Sequence, residues 1–94
     1  MRCVKTIFSR HALQRMFERG IAVTEVEDTL ANGTVIEDYA DDQPYPSRLL
    51  LGGSDDLPVH VVVAWDESDG TCIVVTVYRP SPEHWQSDYK TRKP

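Results

Sequence analysis

The stretch Pro58-Val59-His60-Val61-Val62-Val63-Ala64-Trp65-Asp66-Glu67-Ser68-Asp69-Gly70-Thr71-Cys72-Ile73-Val74-Val75-Thr76-Val77-Tyr78 decides how this chain folds. It holds two β-branched, alternating runs joined by five turn-forming residues, the last a glycine that can take positive φ. Pro58–Trp65 and Thr71–Tyr78 are therefore expected to pair as an antiparallel hairpin. Alternation assigns their faces. Val59, Val61, Val63 and Trp65 share one side of the first strand, and Ile73, Val75 and Val77 one side of the second; these are expected to receive the packing layer. The opposite side offers His60, Val62, Ala64, Cys72, Val74, Thr76 and Tyr78.

Upstream, Thr34–Tyr39 and Ser47–Gly52 show the same two-residue period, separated by the proline-containing loop Asp41–Pro46. Links this short favour an antiparallel meander over βαβ crossovers. Before Thr34 the period becomes 3.6. Ser9 is a good N-cap for a helix over Arg10–Arg19, and Gly20 is its stop. Leu13, Met16, Phe17 and Gly20 fall at i, i+3, i+4 and i+7, so this face is expected to turn to the core. Thr24 and Glu27 form a capping box for a second helix, with Val26 and Leu30 on its buried side and Asn32-Gly33 closing it. Val4–Phe8 is a short apolar lead-in that can serve as an edge strand, and Trp85–Pro94 is an aromatic but polar tail, mobile from about residue 86. The fold expected is one α+β domain over residues 1–94, with two N-terminal helices packed on a four-stranded antiparallel sheet.

Ninety-four residues with 40% hydrophobic content suffice for one core. Cys3 and Cys72 lie far apart without CxxC or Cys/His spacing, which predicts free thiols in a reducing compartment. The first residues lack the apolar core of a signal peptide, and no run of about eighteen apolar residues occurs, so a cytoplasmic chain with no membrane partner is expected. The net charge of −5 is unevenly spread. Residues 1–19 carry a net +4, residues 79–94 a net +2, and Arg48 is the only cation in the −11 block between them. A basic border on an acidic body can still hold a phosphate backbone.

Two sets of side chains could carry chemistry. His11, Arg15, Glu18 and Arg19 form a stripe along one side of the first helix, where guanidiniums suit phosphate and imidazole can move protons. The plainer reading is a solvated face with Glu18 paired to Arg15 or His11. The second set is His60, Thr76 and Tyr78 on the sheet side away from the helices, with Arg48 and Arg79 beside it. Metal-free RNA cleavage needs proton transfer at the ribose 2′-OH and the leaving 5′-oxygen, and cations to steady the phosphate. His11, Arg15, His60, Thr76 and Tyr78 are the catalytic candidates, and Arg19, Arg48 and Arg79 the phosphate-binding ones. A histidine among valines is also commonly structural. If Leu13, Met16 and Phe17 face the sheet, His11 points away, and the two sets meet only where the helix lies near a sheet edge. Neither HExxH, CxxC nor a calcium loop is present, so neither metal nor cofactor is expected.

The run Ser9-Arg10-His11-Ala12-Leu13-Gln14-Arg15-Met16-Phe17-Glu18-Arg19-Gly20-Ile21, followed by Thr24-Glu25-Val26-Glu27, resembles the N-terminal signature of the domain of unknown function 4258 family. Val35–Tyr39, Pro46–Leu51, His60–Val63 and Val75–Tyr78 continue the pattern. That family is grouped with the RelE/ParE-like toxins, and the resemblance implies two helices on a small antiparallel sheet. It further implies a toxin-type protein, such as an endoribonuclease acting on RNA or ribosome-bound mRNA, with an antitoxin protein as partner. His11, Arg15, Arg19, Arg48 and Thr76 match the family pattern. The acidic body departs from the basic surface expected of a RelE-type ribonuclease, which leaves room for a non-enzymatic protein-interaction or nucleic-acid-binding regulatory domain.

Overall fold

A computed structural model describes residues 2–94. The order is β1 (Lys5–Phe8), α1 (Arg10–Arg19), α2 (Val23–Asn32), β2 (Thr34–Tyr39), β3 (Ser47–Gly53), β4 (Pro58–Asp66) and β5 (Thr71–Tyr78). The four-stranded antiparallel sheet expected from sequence is corrected: the sheet has five strands, ordered β1-β5-β4-β3-β2, and is mixed. The meander β2 to β5 is antiparallel, but β1 lies parallel to β5, with Lys5 opposite Thr71 and Phe8 opposite Val74. Short links govern only neighbours in sequence. β1 instead covers the outer border of the last strand, which would otherwise leave a row of amides unpaired.

This pairing also overturns the expectation of free thiols. Because the Val4 N–H donates to the Gly70 carbonyl at 2.9 Å, Cys3 is carried to Cys72, and the two form a disulfide. Two cysteines 69 residues apart show no such relation until the strands are laid side by side.

Local signals set the helix ends. The Ser9 hydroxyl oxygen accepts from the Ala12 N–H at 3.0 Å, and Gly20, at φ 65°, lets the Ile21 N–H reach back to the Met16 carbonyl at 2.9 Å. The capping box at Thr24 and Glu27 is not the start of α2. Ala22 occupies the cap without a side-chain bond, and Glu25 in the first turn is held by Arg79.

Ala12, Met16, Ile21, Val26 and Leu30 from the helical layer meet Leu50, Val59, Val61, Val63, Val74 and Val77 from the sheet. The expected buried face of α1 is only partly right: Met16 is buried, but Leu13 is 49% and Phe17 89% exposed. The reason is position. α1 packs on β5 at the sheet's margin while α2 packs on β3 and β4, so only the narrow stripe Ala12 and Met16 is covered. A β-bulge corrects the faces of β5. Val62 pairs with Thr76 but Val63 with Val74, so Val75 is the extra residue and alternation restarts there. Cys72, Val74 and Val77 are buried on the helix side, whereas Ile73 and Val75 line the opposite face with Val62 and Ala64.

Candidate functional site

Where β1 ends, the chain is still tied to β5. The Ser9 N–H donates to the Val74 carbonyl at 3.0 Å and the Ser9 hydroxyl to the Val75 carbonyl at 2.9 Å, so α1 starts against the part of the border that β1 leaves free. The helix thus lies near the sheet edge, the one arrangement in which the two candidate sets can meet. His11 Nε2 and Thr76 Oγ1 are hydrogen-bonded at 3.1 Å, on the exposed surface and across 65 residues of sequence. One turn on, Arg15 Nη1 donates to Glu18 Oε1 at 3.2 Å, and both side chains are nearly half exposed. Arg19 continues the stripe and is exposed.

His60 and Tyr78 do not join this cluster. Residues 81–93 turn back across the sheet, with Gln86 N–H donating to the Thr91 carbonyl at 2.8 Å and Lys93 N–H to the His84 carbonyl at 2.9 Å. Trp85, 4% exposed, meets the His60 ring edge-on at 4.5 Å, and His60 itself is fully buried. The Tyr89 carbonyl can only accept, so at 2.8 Å His60 Nε2 carries the proton, and Nδ1 then takes the Tyr78 hydroxyl at 3.1 Å. Both ring nitrogens are satisfied in the neutral form. Burial pushes the imidazole below its ordinary value and the Tyr78 phenol above its own. Arg92 lies 4.6 Å over the Trp85 ring and reaches Glu37 at 3.5 Å, which fastens the returning segment to β2. The Tyr39 hydroxyl, donating to Glu37 at 2.6 Å, and then Arg92 hold that carboxyl below the usual range.

The buried imidazole sets a pH dependence. An unfolded histidine titrates near 6.5, and the folded one lower, so the unfolded chain binds the proton first. The stability contributed by neutral His60 is complete above about pH 6.5 and is lost as pH falls toward the folded value. Thermal denaturation between about pH 7.5 and 5.5, above the carboxylate range, should show a falling Tm in the wild type and a flatter line in His60→Phe.

The remaining candidates serve other contacts. Arg48 stands opposite Val63 on the helix-side face, beyond the helices, with Nε 3.6 Å from Asp38 Oδ2. It does not share the face that carries Thr76. Arg79 forks onto Glu25, with Nη2 at 3.0 Å from Oε1, and also donates to the Pro58 carbonyl at 3.2 Å; it clamps β5 and β4 to the start of α2. His11, Thr76 and Arg15 therefore form the accessible cluster. Beside it, a groove of about 340 Å³ runs between the loop 40–46 and the uncovered half of the sheet. Its floor includes Val62, the cross-strand partner of Thr76. Sequence reasoning missed Tyr45 in the groove and the roles of Trp85, Tyr89 and Arg92. The signals for these three are the aromatic content of a segment otherwise too polar to read as a core element, for Trp85 and Tyr89, and its basic charge, for Arg92.

A family model described as Domain of unknown function (DUF4258) matches residues 8–79. The chain belongs to this family. No curated protein and no solved structure matches it. The DUF4258 match takes in α1, β5 and both members of the His11–Thr76 pair, while Cys3 and the segment over His60 lie outside the matched residues. Among the described residues, no helix is long and apolar enough to cross a membrane.

Proposed function

We propose that this DUF4258 chain is a RelE/ParE-like toxin-type protein that binds single-stranded RNA, free or on the ribosome, along the α1 border and cleaves it without a metal. The observation that carries this reading is the His11–Thr76 hydrogen bond beside Arg15. A neighbouring hydroxyl orients the imidazole, which takes the proton of a ribose 2′-OH. Arg15 offers its fork to the phosphate oxygens once it releases Glu18, and Arg19 extends the cationic track one turn further. The 2′-oxygen then bonds to the adjacent phosphorus and the P–O5′ bond breaks. One fragment keeps a 2′,3′-cyclic phosphate, and the 5′-oxygen takes its proton from solvent, since His60 and Tyr78 lie beneath the returning segment. Charge supports the same border: residues 1–19 are net positive, and the following acidic block repels a phosphate backbone elsewhere. An antitoxin protein is the partner this reading implies, silencing the chain by lying over His11 and Arg15.

A second reading draws on the exposure of Phe17 and Leu13 on α1, which favours a non-enzymatic domain that docks a protein or holds nucleic acid without cutting it. One experiment separates them. Wild type, His11→Ala and Arg15→Ala are expressed under tight control and also purified for RNA digestion with and without ribosomes. The wild type should arrest growth and leave cyclic-phosphate ends, His11→Ala should cleave about 100-fold more slowly, and Arg15→Ala should bind RNA with a salt slope smaller by about one. Absence of both arrest and cleavage in the wild type would leave the docking reading in possession.

A further inference from the structure

We infer that the groove between the loop 40–46 and the uncovered half of the sheet is a nucleobase subsite, selective for bases that carry an exocyclic amino group. This rests on the reading of the chain as RNA-directed and names what that site takes. Position comes first. Val62 on the groove floor pairs with Thr76, so the groove opens directly beside the His11–Thr76 contact. A ribose whose phosphate lies against His11 and Arg15 would thus present its base to this floor.

The lining suits a base rather than a second phosphate. Val62, Ala64, Ile73 and Val75 form an apolar floor, and Tyr45 supplies an aromatic wall. At about 340 Å³ the groove is at the small end of ligand pockets, and an aromatic surface over an aliphatic floor is how proteins hold single unstacked bases. No cation lines it. The charged group at the rim is Asp42, whose Oδ2 accepts from the Ser47 hydroxyl at 2.5 Å. A carboxylate fixed in this way accepts amino hydrogens, which cytosine, adenine and guanine present on their pairing edges and uracil does not.

The test is an NMR titration of the full chain with cytidine, adenosine and uridine 3′-monophosphates, followed by anisotropy with a short single-stranded oligoribonucleotide. Amide shifts should centre on Val62, Ala64, Ile73 and Val75, with cytidine and adenosine nucleotides bound about tenfold more tightly than uridine. Tyr45→Ala should weaken all three about tenfold, Tyr45→Phe should bind like wild type because it keeps the ring, and Asp42→Asn should level the base preference. RNA bound through Arg15 with the groove amides unmoved would overturn the subsite and leave the RNA-directed reading standing. Failure of every nucleotide and oligonucleotide to bind would overturn both.

Discussion

Trp85→Ala is expected to lower stability by about 3–5 kcal/mol, although the residue lies in what the sequence presents as a tail. Its indole is 4% exposed, stands edge-on to His60 at 4.5 Å and is roofed by Arg92 at 4.6 Å. Truncation removes that burial and wets His60, whose neutral state and two hydrogen bonds depend on a dry surrounding. Urea unfolding near pH 7.5 measures the loss. Limited proteolysis provides the local readout, with new cuts between Trp85 and Pro94 in the variant. Arg92→Ala removes only the cation stacked on the outer side of the ring and the long contact to Glu37, so about 1 kcal/mol is expected. A cost below about 1 kcal/mol for Trp85→Ala would show that the segment merely rests on the sheet.

Cys3→Ser should cost about 4 kcal/mol under oxidising conditions, the value expected when a cross-link spans 69 residues of chain. Most of that effect lies in the unfolded state, whose freedom the bond restricts. Cys3 is the better position to change, because Cys72 is fully buried and its replacement would also disturb the core. Paired urea titrations with and without reductant decide the matter: the wild type in reductant should fall to the stability of the variant, and the variant should be unaffected by reductant. Near-equality of the two proteins without reductant would mean that the parallel ladder of β1 already fixes the N-terminal strand. The bond also bears on the candidate site, since β1 runs directly into Ser9 and the first turn of α1, where His11 stands.

The Asp66–Gly70 turn, β2 to β5 (β3 and β4 each to within one residue at their ends) and both ends of α1 are legible because each depends on neighbours in sequence: a turn glycine, a cap serine, a two-residue period. What was not legible depends on residues distant in the chain. No local pattern pairs Lys5–Phe8 with Thr71–Val74, and without that pairing Cys3 and Cys72 look unrelated. The bulge at Val75 looks, in sequence, like uninterrupted alternation, which exchanges the faces of Cys72, Ile73, Val74 and Val75. The apolar stripe of α1 gave a face but not its distance from the sheet's centre, and the margin leaves Phe17 in solvent. For the site, His11, Arg15 and Thr76 could be picked out as residue types, but their meeting depends on that marginal helix. In sequence His60 looks available, because nothing in residues 81–93 announces that they return over it.

The strand order has one further consequence, for how copies of this chain behave when crowded together. A sheet can be extended by a foreign strand only along a free edge, here β1, β2 and the last residues of β5, beside which α1 begins. β1 is four residues long and leads straight into a helix, and the ladder of β2 slips between Val35 and Glu37. None of these offers a long, regular template for fibril-like stacking, so the valine strands β4 and β5 are poorly placed to recruit a second copy edge to edge.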